Sequence, residues 1–147
     1  MRIGKWVVAM TTCMALSSAA LAADGWERGS AYNKIFDSKT IQTISGKVVS
    51  IDRNFRPLKG MEPGFMAVIK TDQGSDKQVQ VGPAWFTSFY KQKWDVKVGD
   101  AVKVTGSAVK IEGKDVIMAS QGEKGKLKMT IRGKAGAPLW DLQPTDF

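Results

Sequence analysis

Val81-Gly82-Pro83-Ala84-Trp85-Phe86-Thr87-Ser88-Phe89-Tyr90 is where the chain changes its period. Before it, Lys77 to Val81 alternates, with Val79 and Val81 on one side, the pattern of a half-buried strand. After it, Trp85, Phe86, Phe89 and Tyr90 recur at i, i+1, i+4 and i+5, and Trp94 extends the series. Pro83 suits the first turn of a helix, where its missing N–H costs nothing. The spacing predicts one short helix here, with Trp85 on the face turned to the core.

Everything around that helix reads as strand. Upstream, Ile44, Gly46 and Val48 share a face, after which Val49 and Ile51 take the other, a phase change that a bulge produces. Phe65 to Thr71 is a second strand, and Asp72-Gln73-Gly74-Ser75 turns it into the third. Downstream, Val98-Gly99-Asp100 leads into a fourth strand whose phase shifts at Gly106, and Glu112-Gly113-Lys114 leads into a fifth, Val116 to Ala119. Gly122-Glu123-Lys124-Gly125 reads as a last turn before Lys126 to Arg132, with Leu127, Met129 and Ile131 on one side. Three strands, a short helix, two long-range strands and a terminal one describe an all-β, five-to-six-stranded OB-like barrel whose helix lies between strands 3 and 4. An SH3-like barrel and an open sandwich compete with it, and the helix placement argues against both.

The ends of the chain set the expected organisation. Arg2 and Lys5 precede an apolar run from Trp6 to Ala22, and Ala20-Leu21-Ala22 offers the small residues signal peptidase requires. We therefore expect a cleavable signal peptide over 1–22 and a periplasmic or secreted bacterial product. Residues 23–40 form an extended arm whose aromatics dock on the domain, 41–135 the barrel, and 136–147 an irregular tail. Cys13 falls inside the signal segment, so the mature chain holds no disulfide. Without Arg2 and Lys5 it carries 20 basic and 14 acidic residues, a balance of +6 that suits acidic partners.

Thr43-Ile44-Ser45-Gly46-Lys47-Val48-Val49, Val81 to Phe86, and Val98-Gly99-Asp100 through Val104-Thr105-Gly106-Ser107 resemble small exported OB-type proteins of bacteria, most of them of undescribed function. The resemblance spans about residues 32 to 140 and implies a fold more than an activity. In such proteins a histidine often sits shortly before the Gly-Pro-Ala-Trp run. Gln80 stands in that region here, and the chain has no histidine at all, so a metal or haem role does not carry over.

The composition excludes much chemistry. No histidine and no mature cysteine leave no thiolate or imidazole zinc site, no haem-attachment motif and no nucleophile–histidine pair. No glycine-rich phosphate loop is present. Asp52, Asp72, Asp76, Asp100, Glu112 and Asp115 sit at turns, where solvation explains them, and Met61, Met66, Met118 and Met129 read as packing. We expect no cofactor and no catalysis.

What remains is a basic surface. The long connection Asp52–Gly64 carries Arg53, Phe55, Arg56 and Lys59, stiffened by Pro57 and Pro63, and the hairpin after strand 4 adds Lys110 and Lys114. In OB domains these two loops flank the usual ligand face. Cations beside an aromatic suit an anionic ligand, whereas a solvated loop with Phe55 folded back as a lid is the competing reading. Two functions follow: an accessory that binds a protein partner in the cell envelope, or a direct binder of an anionic polymer, nucleic acid or acidic glycan.

Overall fold

The computed structural model describes residues 24–89 and 95–141. Its strands are β1 (Ile41–Phe55), β2 (Gly64–Thr71), β3 (Asp76–Pro83), β4 (Ala101–Ile111), β5 (Lys114–Lys124) and β6 (Leu127–Thr130), with α1 (Ala84–Phe89) between β3 and β4. They hydrogen-bond in the order β3-β2-β1-β4-β5-β6, and a short parallel pairing of Gln78–Gln80 with Val116–Met118 closes the sheet on itself. This is the OB-like barrel expected from the sequence. Signal segment, Tyr90, Trp94 and residues 142–147 lie outside the described residues.

Long bent strands make the closure possible. β1 pairs with β4 through Ile41–Lys47 and with β2 from Gly46 onward, so one strand serves two halves of the barrel. Its register slips between Val48 and Ser50, leaving Val49 as the extra residue that the phase change indicated. β4 slips against β5 between Thr105 and Gly106. A Cβ on Gly106 would collide with the Met118 carbonyl oxygen and meet Ile117 Cγ2 at 2.8 Å, so close backbone approach requires glycine there.

Alternation along these strands separates two apolar layers. Val48, Phe65, Ile69, Val79, Val81, Ile117 and Ile131 are among the side chains filling the interior. That interior retains a void of only about 50 Å³, lined by apolar surface. On the outside of β4 and β5, Ile111, Val116 and Met118 form a second layer with Trp26, Tyr32 and Met61.

Three local expectations need correction. Trp85 is 54% exposed, whereas Phe86 and Thr87 are buried. Neighbouring helix positions point about 100° apart, and a six-residue helix over a narrow barrel mouth seats only one of the two rings. Pro83 closes β3 rather than opening the helix, which begins at Ala84. β5 runs on through Gly122–Lys124, so the turn into β6 is the two residues Gly125 and Lys126, and Leu127 is half exposed while Met129 and Ile131 are buried.

Candidate functional site

The outer face of β3, β4 and β5 is covered by the chain's own ends. The 24–40 segment is not extended: it turns through two short 3-10 helices, Asn33–Ile35 and Ser38–Thr40. Trp26 and Tyr32 are each 1% exposed. Trp26 lies flat against Gly64, where any Cβ would collide with its ring, and its Nε1 donates to the Glu62 carbonyl at 2.8 Å. Further along, the Tyr32 hydroxyl donates to Gln80 Oε1 at 2.9 Å on β3. At the far side, the Asp37 N–H donates to Ser107 Oγ at 3.0 Å on β4, and Ser107 donates back to the Asp37 carbonyl at 2.9 Å. The segment thus crosses from the β1–β2 loop to β4.

The tail locks this cover. Trp140 Nε1 donates to the Trp26 carbonyl at 2.7 Å, and the two rings meet edge-on at 5.8 Å. Arg132, 4% exposed, donates from Nη1 to the Gly136 carbonyl at 2.9 Å. Its guanidinium lies 5.2 Å from the Phe36 ring centre and 4.9 Å from that of Trp140. Among the described residues no carboxylate pairs with it; aromatic faces and the Tyr32 hydroxyl compensate the charge instead. Burial pushes the Tyr32 hydroxyl above its ordinary range, against the opposing pull of Arg132. Burial also lowers the Arg132 pKa, with Tyr32 working in the other direction.

Gln80 is 2% exposed and committed at both ends of its amide. Its Oε1 accepts from Tyr32 and its Nε2 donates to Gln78 Oε1 at 2.9 Å. Among the described residues no group of three or more acidic side chains gathers where one ion could sit.

The basic residues singled out in the sequence fall into two separate groups. Arg53 and Phe55 lie in the last residues of β1 rather than on the loop, which is 56–63; Arg53 is exposed, its guanidinium 4.9 Å from the centre of the buried Phe65 ring. Phe55 is half-buried, Arg56 donates from Nη1 to the Met61 carbonyl, and Lys59 is exposed. Lys110 and Lys114 are exposed on the β4–β5 hairpin, where Lys110 faces Asp115 at 3.6 Å beside a hollow of about 370 Å³ that Gln78 also lines. Between the two groups lies the aromatic cover, in which Leu58 and Met61 from one loop pack with Val109, Ile111 and Val116 from the other hairpin. Trp140 is not legible in the sequence because the tail has no period, and Arg132 alternates there as an outward residue of the last strand. The visible signal was a tryptophan and a proline in a segment with no strand to serve.

No curated protein matches the chain. The model of the MamS/MamX magnetosome protein family matches residues 40–129, from the start of β1 to β6. That stretch is more than half of the chain, and this protein belongs to the MamS/MamX magnetosome protein family.

Proposed function

We propose that this protein is an exported, non-catalytic accessory module that binds a protein partner within a magnetosome-associated complex of the cell envelope. The observation carrying this reading is the cover formed by Trp26, Tyr32 and Trp140. OB domains that hold nucleic acid or glycan do so on the outer sheet face between the β1–β2 and β4–β5 loops, commonly by stacking on exposed aromatics. Here Trp26 and Tyr32 are buried, Trp140 is half-buried, and all three are hydrogen-bonded to the domain itself. A polymer has no open platform there, and the near-filled barrel interior offers no alternative. Family membership, and a sequence without a histidine, agree with an accessory role.

The test is purification of the tagged full chain from its own cells after cross-linking, with nuclease treatment, at two salt concentrations. The expected result is a defined protein partner that survives both. A chain recovered alone, combined with salt-sensitive binding to labelled single-stranded DNA or an acidic glycan, would overturn the reading.

A further inference from the structure

Trp85 and Arg53 each stand against a buried ring of the same barrel core. The Trp85 ring meets the buried Phe86 edge-on at 6.2 Å, and the Arg53 guanidinium covers the buried Phe65 at 4.9 Å. Phe65 and Phe86 belong to the same core cluster. The backbone ties the two elements together, since the Ala84 N–H donates to the Pro63 carbonyl at 3.0 Å and Gly64 pairs with Pro83. Arg53 stands near the end of β1, and the loop that follows it, carrying Arg56 and Lys59, ends beside the first residue of the helix that presents Trp85.

Two properties of this surface call for a partner. A tryptophan left 54% exposed beside a packed core keeps a large apolar area in water, and tryptophan and arginine are the side chains that most often anchor interfaces. Arg53 and the two loop cations also lack a carboxylate among the described residues: Arg53 rests on a ring, Arg56 on a carbonyl, and Lys59 is exposed. Of the acids flanking them in sequence, Asp52 on β1 turns its carboxylate to the Asn54 N–H, and Glu62 on the loop is exposed.

We propose that Trp85 with Arg53 and Lys59 forms the docking surface for an acidic segment of a partner protein, one that brings an apolar side chain against the indole. This rests on the accessory reading above and names the surface and the partner's chemistry. The apolar contact supplies affinity, and the cations select an acidic sequence and speed its encounter.

The experiment titrates the full chain with three labelled probes: a peptide of Glu and Asp interrupted by Leu and Phe, the same peptide with Lys at every acidic position, and single-stranded DNA. Binding is read by anisotropy and by the Trp85 indole N–H resonance. The acidic peptide is expected to bind and shift that resonance, and the Lys peptide is not. Trp85→Ala and the double reversal Arg53→Glu/Lys59→Glu should each weaken binding about tenfold or more, the range of an interface anchor. No binding of the acidic peptide, equal binding by the variants, or tighter binding of DNA at Trp85 would overturn the proposal. Co-purification separates the two readings. A partner retained by the combined Trp85→Ala/Arg53→Glu/Lys59→Glu variant refutes this surface alone, whereas no partner with the unaltered chain refutes the accessory role.

Discussion

Trp140 donates its indole N–H to the main-chain carbonyl of Trp26 at 2.7 Å, joining segments 114 residues apart in sequence. Asn33 Nδ2 reaches the same carbonyl at 2.8 Å, so one oxygen ties the tail, the 3-10 turn and the entry segment together. The described segments on either side of the barrel, 24–40 and 131–141, are accordingly part of the fold, and they should be as costly to disturb as the barrel core.

Trp26→Ala should destabilise the protein by about 3–5 kcal/mol, the usual cost of deleting a large buried aromatic. It removes the ring packed on Gly64 and the bond to Glu62 together. Urea unfolding followed by far-UV circular dichroism measures this. A mutant that unfolds with the wild type would mean that the entry segment is a loose appendage.

Trp85→Ala should behave oppositely, changing stability by less than about 1 kcal/mol, as surface substitutions do. Its ring is more than half exposed and Phe86 keeps the barrel mouth filled. The same urea titration decides it. A loss comparable to that of Trp26→Ala would place Trp85 in the core.

Gly106→Val should cost about 1–3 kcal/mol through overpacking. The cause is contact with the Met118 carbonyl and Ile117, because Gly106 is not among the glycines with positive φ. Gly74→Ala, in an open turn at φ 91°, reports backbone strain without contact and serves as the comparison. Thermal melts of the two variants separate the causes.

Which parts of this were legible in sequence follows from how each part is encoded. Period-2 alternation around Val79 and Val81, the phase change at Val49 and the aromatic run after Pro83 each report a local backbone state, and together they give the barrel. Trp85 and Phe86 were indistinguishable by spacing, because an i, i+1 pair straddles a helix face and only the width of the barrel mouth decides which ring enters. The cover was half visible: the docking aromatics of the entry segment could be read, but their partners Gln80, Gly64 and Trp140 are 38 to 114 residues away from Trp26 or farther along the chain than any periodic pattern reaches. Arg132 looked like the outward residue of an amphipathic strand. It is buried because the tail folds back over it, with Pro138 bridging to Arg132 itself.

Stability should fall as the pH rises above 10, and Tyr32 should be a defined part of that fall. Its hydroxyl ionises near 10.0 when unfolded and higher in the folded chain, because burial disfavours the phenolate. A raised folded pKa contributes stability that is complete below the unfolded value and is lost above it, here by up to about 1.4 kcal/mol per pH unit. Tyr32→Phe should remove this contribution, so the difference in unfolding free energy between the two proteins should narrow from pH 10 upward. A constant difference across that range would show that Tyr32 ionises freely.

The central claim is that the chain's own ends close the outer sheet face to polymers. It is tested most directly by ¹⁵N–¹H spectra of the protein at low salt during titration with single-stranded DNA. The account predicts that the Trp26 and Trp140 indole resonances and the Gln80 and Ser107 backbone amides stay in place throughout. Progressive shifts at those four positions, reversed by added salt, would contradict it.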